Sequence, residues 1–209
     1  MRVKEDTLKK ILKDNKFKNQ FETNTSGGSL SHKHRKQASK NMFGHDGGLK
    51  PEEYEKYGYL GHADYVLDFK QNSNFYGAKQ YGDIIVRFDK AKLYNRVTFT
   101  IDDSLRQAIR GELVAGNATL PHLGGFSTAR NDATRYKQIL LSDTTNSLKD
   151  IVDKTHSRYL ELQYHGELTT EYITEICFTG GIKDEAIITR LKDKGIKVYK
   201  LVGGKLIEM

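Results

Sequence analysis

Two segments far apart in this chain alternate apolar and polar side chains with a period of two, and this alternation constrains the fold most. NRVTFTIDDSL (95–105) places Thr98 and Thr100 on one face and apolar residues on the other. RYLELQYHG (158–166) alternates in the same way. Because successive side chains of a strand point to opposite faces, both segments are predicted to be β-strands.

The second of these strands has two faces of different chemistry. Leu160, Leu162 and Tyr164 share one face, and the leucines are expected to point toward the core. The other face is then expected to meet solvent or a cleft, and it carries Tyr159, Glu161, Gln163 and His165. A half-buried edge strand with a wet polar face would produce the same pattern, so the alternation alone leaves the function of this face open.

The rest of the chain mixes helical and strand patterns. Helices are predicted over 6–15, 31–44, 106–112, 147–154 and 184–195. Further strands are predicted over QFET (20–23), 64–69, 81–88, 173–178 and 196–202. The mixture predicts an α+β protein with one domain over residues 1–209, in which 1–16 form an N-terminal helical extension.

The positive charge lies in the first quarter of the chain. Residues 1–50 contain 12 lysine and arginine residues against five acidic residues, which equals the whole formal net charge of +7. The rest of the chain contains equal numbers of basic and acidic residues, so its formal net charge is zero. A basic face of this kind attracts polyanions such as nucleic acid, an acidic partner or the phosphates of a dinucleotide, although a solvated surface is an equally good interpretation.

Several classes of protein are not indicated by the sequence. No stretch approaches the roughly 20 apolar residues of a membrane span. The N-terminal segment lacks the apolar core of a secretory signal, and Cys177 is the single cysteine, so a cytoplasmic location without membrane contact is expected. The phosphate-binding fingerprints GxxxxGK[ST] and GxGxxG are both absent.

Three segments together resemble known proteins. QFETNTSGG, YGDIIVRFDKAKLYNRVTFTIDDSL and YLELQYHGEL resemble, in this order, the hallmark segments of a bacterial and phage domain family of unknown function. Those hallmarks read QFETG-S-NG, R-TFT-GDS and E-Q-HG. The segments in turn resemble the three characteristic strands of mono-ADP-ribosyltransferases. The resemblance covers roughly residues 17–30, 81–104 and 158–168 and implies the split β-sandwich of those enzymes.

The resemblance implies a role for each matching residue, with NAD as the substrate. Glu161 would stabilise the positive charge that develops on the ribose, and Gln163 would position the acceptor or the ribose. Thr98 and Thr100 would line the neighbouring strand. The loop over 20–28 would hold the pyrophosphate through backbone N–H groups. The residues that would bind NAD are Gln20, Thr23, Thr25, Ser26, Gly27, Tyr81 and His165.

The chain departs from the transferase pattern at two points. The decisive glutamate of the transferases is normally the second member of its pair, whereas the order here is Glu161-x-Gln163. The arginine or histidine that usually opens the first strand has three candidate counterparts, which are Lys18, Gln20 and Arg35.

The resemblance implies a toxin or anti-phage effector that modifies RNA or protein, with RNA slightly favoured by the basic N-terminal quarter, and with an antitoxin as partner. Two alternatives remain open. His165 and Glu161 could act as a general acid–base pair that cleaves RNA without a metal ion. A phage-associated structural module would use the charge for assembly. No metal site is predicted, since no cysteine and histidine spacing fits structural zinc.

Overall fold

The computed structural model describes residues 1–25, 31–43, 48–59, 61, 81–93, 96–101 and 160–209. Within these residues the chain forms five α-helices and three β-sheets, so the predicted mixture of helices and strands is confirmed. Two compact units are present. The first combines Met1–Phe17, Gly61–Asp89 and Leu168–Met209, and the second combines Lys18–Leu60 and Lys90–Glu167.

The elements are short and the strands outnumber the helices. The strands are β1 (Arg2–Val3), β2 (Lys16–Phe17), β3 (Lys56–Tyr59), β4 (Ile84–Phe88), β5 (Val97–Ile101), β6 (Leu160–Tyr164), β7 (Leu168–Thr169), β8 (Ile173–Phe178), β9 (Lys197–Val202) and β10 (Lys205–Glu208). The helices are α1 (Glu5–Asp14), α2 (Gln20–Thr23), α3 (His32–Phe43), α4 (Lys90–Leu93) and α5 (Ala186–Asp193). No helix in the described ranges is long and apolar enough to cross a membrane.

The first unit contains a five-stranded sheet in the order β1-β4-β8-β9-β10 and a small sheet of β2 and β7. β8 and β9 are parallel and the other pairs are antiparallel. Ile85 and Cys177 pack together in the centre of the large sheet, with Tyr199 and Leu201 against them. The strands of this sheet therefore bury apolar residues from which they were predicted.

The first residues of the chain belong to this unit. Leu8, Ile11 and Leu12 are buried at helical spacing along α1, and Asn15 ends the helix in the left-handed region with φ 56°. Ahead of the helix, Val3 pairs with Ile84 in the sheet. Gly82 has φ +142°, and a Cβ there would lie 2.0 Å from the Val3 carbonyl oxygen, so only glycine fits this close approach.

The second unit contains the three-stranded antiparallel sheet β3-β6-β5, with β6 in the centre. α3 packs beside it and buries Ala38, Ser39 and Met42. A short 3₁₀ turn over Pro51–Glu53 leads into β3.

Most of the predicted elements that fall in the described ranges are confirmed. The strands predicted over 81–88, 95–105, 158–166, 173–178 and 196–202 correspond to β4, β5, β6, β8 and β9. The helices predicted over 6–15, 31–44 and 184–195 correspond to α1, α3 and α5. The predictions over 64–69, 106–112 and 147–154 lie outside the described residues.

The prediction of a strand over QFET is wrong, because this segment is helix α2. Asn19 caps the helix: its Oδ1 accepts hydrogen bonds from the N–H groups of Phe21 (2.8 Å) and Glu22 (3.0 Å). The Glu22 carboxylate accepts one in return from the N–H of Asn19 at 2.9 Å. This capping box satisfies N–H groups of the first helical turn, which have no partner within the helix. A strand at this position could not form these contacts.

Two further features differ from what the sequence indicated. Strand β3 was not among the predicted elements, although Glu55, Tyr57 and Tyr59 alternate and tyrosine favours strands. The polar face of β6 was expected to meet solvent or a cleft, yet Glu161 and Gln163 are buried whereas Leu162 is only half-buried. The reason is that β6 is central in its sheet and its polar side chains bond to one another.

Candidate functional site

The two strands that were predicted from period-two alternation are hydrogen-bonded neighbours in the structure. β5 and β6 run antiparallel, so that Thr98 pairs with Gln163 and Thr100 pairs with Glu161. On the other side of β6, Tyr57 and Tyr59 of β3 pair with the same two residues. Side chains that pair directly across strands point to the same face, so the register gathers the polar residues of three strands on one face of this sheet.

Four polar side chains on this face form a hydrogen-bonded line, here called the polar row: Thr98, Glu161, Gln163 and His165. Gln163 Nε2 donates to Glu161 Oε1 at 3.0 Å. Thr98 Oγ1 donates to Gln163 Oε1 at 3.2 Å and lies 2.8 Å from His165 Nε2. The side chain of Thr100 lies outside the part of the structure that is described.

The donors of the polar row follow one direction. Because Gln163 gives its N–H to Glu161, its carbonyl oxygen faces Thr98, and the Thr98 proton is used for that bond. Thr98 Oγ1 and His165 Nε2 share a further hydrogen bond, and the tautomer of the imidazole decides which of the two donates. Aligned hydrogen bonds in a buried site polarise one another, so the row directs its donors toward the Glu161 carboxylate.

A second cluster of polar groups lies beside the polar row. Tyr57 Oη donates to Glu55 Oε1 at 2.7 Å, and Ser39 Oγ donates to Glu55 Oε2 at 2.7 Å. Burial, followed by the negative charges of Glu55 and Glu161, raises the pKa of Tyr57 well above its ordinary value, and the positive charge of Arg35 opposes this. Tyr57 therefore stays protonated and keeps its donor for the carboxylate.

One face of α3 packs onto both groups. Arg35, Ser39 and Phe43 are spaced four residues apart and so share a face of the helix. Ser39 reaches Glu55, and the Phe43 ring meets the His165 ring edge-on with a centroid distance of 4.8 Å. The helix thus covers the polar side chains and accounts for the burial of this face.

Arg35 connects this cluster to the first segment of the transferase-like pattern. Its Nη1 donates to Gln20 Oε1 at 2.5 Å, and its charge acts on Tyr57. Among the three candidates for the anchoring residue of the first strand, Arg35 and Gln20 therefore form a pair, whereas Lys18 is exposed.

The predicted phosphate loop is described only in part. Thr23 Oγ1 donates to the Asn19 carbonyl at 3.0 Å and Thr25 Oγ1 donates to Thr23 Oγ1 at 3.0 Å. The side chain of Asn19 accepts hydrogen bonds from the N–H groups of Phe21 and Glu22. The described part of this segment is a capped helix and a turn, and its role as a phosphate-binding loop stays a prediction. Ser26 and Gly27 lie outside the described residues.

The other predicted site residues differ in their exposure and in the compact unit to which they belong. His165 belongs to the polar row and is half-buried. Tyr81 belongs to the first compact unit, where its side chain is 45% exposed.

Sequence reasoning missed Glu55, Tyr57 and Ser39. The alternation of Glu55, Tyr57 and Tyr59 could have indicated a strand. Gly58 and the nearby Pro51 are unfavourable in strands and so made this pattern less evident. Ser39 carried no signal, because its role depends on which face of α3 meets the sheet.

Comparison with protein-family models, with curated proteins and with solved structures found no match for this chain. What the site can do therefore follows from its own residues and their geometry. Among the described residues, no three histidine, cysteine, aspartate or glutamate side chains are placed to hold a metal ion.

Proposed function

We propose that this chain is an NAD-dependent mono-ADP-ribosyltransferase with Glu161 as its catalytic carboxylate. The observation that carries the proposal is the hydrogen-bonded pair on β6, in which Gln163 Nε2 holds Glu161 Oε1 at 3.0 Å beside Thr98 of the adjacent strand. Transferases of the resembled family use a threonine or serine strand next to a strand with two polar residues at this spacing. The likeness to their split β-sandwich remains part of the proposal.

The proposed reaction needs a fixed negative charge. The bond between ribose C1′ and the nicotinamide nitrogen breaks, and its electron pair leaves with nicotinamide, which becomes neutral. The ribose is left as an oxocarbenium ion, and the acceptor then forms a bond to C1′ and gives up a proton to water. A carboxylate that accepts a hydrogen bond from a ribose hydroxyl stabilises the positive charge as it develops.

The exposed fractions of Thr98, Gln163 and Glu161 indicate different roles for these residues of the polar row. Thr98 and Gln163 have no exposed surface, whereas 8% of Glu161 is exposed. Glu161 is accordingly the residue that contacts the ribose. Gln163 and Thr98 act as positioning residues, because their hydrogen bonds fix the carboxylate and neither reaches the surface.

The biological part of the proposal comes from the resemblance and from the charge. A chain that transfers ADP-ribose to RNA or protein inside a cell fits a toxin or an anti-phage effector that acts in the cytoplasm. An antitoxin protein would then be needed to restrain it. The basic N-terminal quarter favours RNA as the acceptor.

The arrangement favours the transferase over the ribonuclease that His165 and Glu161 could form. These residues are four positions apart on one strand, which separates their Cα atoms by about 13 Å. Gln163 lies between them and bonds to Glu161, while His165 bonds to Thr98. The two side chains are therefore not paired for general acid–base catalysis at one phosphate.

Label transfer from NAD tests the proposal. Purified protein is incubated with labelled NAD and either total RNA or soluble cell protein, and Glu161→Ala is run beside the wild type. Transfer by the wild type alone supports the proposal and identifies the acceptor class. Intact NAD together with RNA that is shortened only when His165 is present would support the nuclease. If neither occurs, a structural module is supported.

A further inference from the structure

The two faces of α3 have opposite chemistry. Ala38, Ser39 and Met42 are buried, and Arg35 is half-buried on the same side. The opposite side carries the exposed lysines Lys33, Lys36 and Lys40. No acidic residue occurs between His32 and Phe43, so the charge of this exposed side is not compensated within the helix.

The three lysines form a line along the helix, here called the basic stripe. At 100° per residue they lie within an arc of about 60°, and at 1.5 Å per residue they span a rise of about 10 Å. The exposed Gln37 lies at the border of the same arc. Such a line presents positive charges at steps of about 4.5 and 6 Å, which suits a chain that carries a negative charge every few ångströms.

The basic stripe is not used by the described parts of the protein itself. No ion pair within the described residues involves Lys33, Lys36 or Lys40. Three uncompensated lysines on one helical face repel one another, and a bound polyanion removes this repulsion.

The stripe belongs to the helix that ends at the polar row. Phe43, the last residue of α3, packs against the His165 ring. The N–H of His165 donates to the carbonyl of Arg96 at 2.9 Å, and the Arg96 side chain is exposed beside Gly166. Arg96 is thus a further exposed positive charge close to His165, at the outer end of the row.

We propose that the basic stripe binds the phosphate backbone of a single-stranded nucleic acid, which is the acceptor of the proposed transferase. This step rests on the proposed function in one respect: a base must be unstacked before an enzyme can modify it, and single strands meet that need at the lowest energy. The binding itself depends only on the stripe. A phosphate backbone carries a charge at every nucleotide, whereas an acidic protein matches the lysine line only over a run of suitably spaced carboxylates.

The experiment measures fluorescence anisotropy of labelled single strands of about 12 nucleotides, as RNA and as DNA of one sequence. The test variant is Lys33→Gln/Lys36→Gln/Lys40→Gln. The control is Lys192→Gln/Lys197→Gln/Lys205→Gln, which removes the same charge from exposed positions of the other unit. Glutamine keeps helix propensity close to that of lysine, and circular dichroism checks that both variants fold.

The stripe variant is expected to bind about tenfold or more weakly than the wild type, whereas the control keeps most of the affinity. Loss of three phosphate contacts should lower the slope of log K against log salt by about 2 between about 50 and 200 mM. Comparison of the RNA and DNA strands shows which sugar is accepted.

Three outcomes would overturn the inference: no binding by the wild type, equal weakening in both variants, or an acidic polypeptide that displaces the strand at equal charge concentration. Release of nicotinamide from NAD, measured without nucleic acid, reports on the proposed function separately. A wild type that binds through the stripe but leaves NAD intact would refute the transferase and keep the nucleic-acid surface.

Discussion

Thr98 Oγ1 on β5 lies 2.8 Å from His165 Nε2, at the end of the neighbouring strand β6. The same oxygen lies 3.2 Å from Gln163 Oε1. One hydroxyl therefore links a half-exposed imidazole to a fully buried amide, and through that amide to the Glu161 carboxylate. The position of Glu161 consequently depends on a residue of another strand with which it shares no hydrogen bond in the row.

Thr98→Val should destabilise the protein. Valine has the shape of threonine but lacks its hydroxyl, so the buried oxygen of Gln163 loses a donor and His165 Nε2 loses its hydrogen-bond partner. The expected loss is about 1–3 kcal/mol in the free energy of unfolding, measured by chemical denaturation. Thr98→Ser keeps the hydroxyl and should recover most of it. A loss in Thr98→Ser with none in Thr98→Val would show that the methyl group matters and the hydrogen bonds do not.

Gln163→Met should lower the rate of NAD cleavage while leaving the KM for NAD almost unchanged. Methionine fills a similar volume but cannot donate to Glu161 Oε1, so the carboxylate moves from its position. A misplacement of about 1 Å can reduce kcat about a hundredfold. A higher KM with an unchanged kcat would instead show that Gln163 contacts the substrate directly.

Asn19→Ala should destabilise the second unit, because the substitution removes a side chain that makes several hydrogen bonds. The Asn19 side chain caps α2, and its Nδ2 donates to the carbonyls of Pro51 at 2.7 Å and Tyr54 at 2.9 Å. The expected loss is about 2 kcal/mol or more, because caps and buried hydrogen bonds contribute together. Asn19→Asp keeps the capping oxygen but sets a buried carboxylate oxygen against both carbonyls, so it should destabilise at least as much as alanine. A loss below about 0.5 kcal/mol in the alanine variant would contradict this account.

Tyr57 should make stability fall at high pH. Its pKa in the folded protein is raised well above the ordinary value near 10, by burial first and then by the charges of Glu55 and Glu161. Above about pH 10 the unfolded chain releases this proton while the folded protein keeps it, so unfolding becomes more favourable as pH rises. The difference in unfolding free energy between wild type and Tyr57→Phe should therefore be constant below about pH 9 and should shift against the wild type above about pH 10. A difference that stays constant up to the alkaline limit of folding would count against the raised pKa.

The sequence predicted the strands of the candidate site better than it predicted their surroundings. Period-two alternation located β5 and β6, since the pleat of a strand fixes which side chains share a face. It could not show that Thr98 meets Gln163, because register depends on contacts between residues far apart in the chain. The burial of Glu161 and Gln163 was missed for a related reason: a polar face is buried only when other polar groups satisfy it, and Thr98, which bonds to Gln163, comes from another strand.

QFET shows how local chemistry can outweigh a resemblance. The pattern of a known family suggested a strand there, whereas the asparagine before it and the glutamate three residues later form a capping box that begins a helix. That signal was present in the sequence. The pairing of Arg35 with Gln20 was not, because it requires α3 to lie beside α2.

Release of nicotinamide from NAD by the wild type, by Glu161→Gln and by Glu167→Gln tests the central claim most directly. Glu161→Gln removes the charge and keeps the shape, whereas Glu167 is an exposed glutamate just beyond the same strand. We expect release by the wild type and by Glu167→Gln, and a rate about a hundredfold to a thousandfold lower for Glu161→Gln. No release by the wild type, or equal rates in all three proteins, would contradict the role of Glu161 in cleaving NAD.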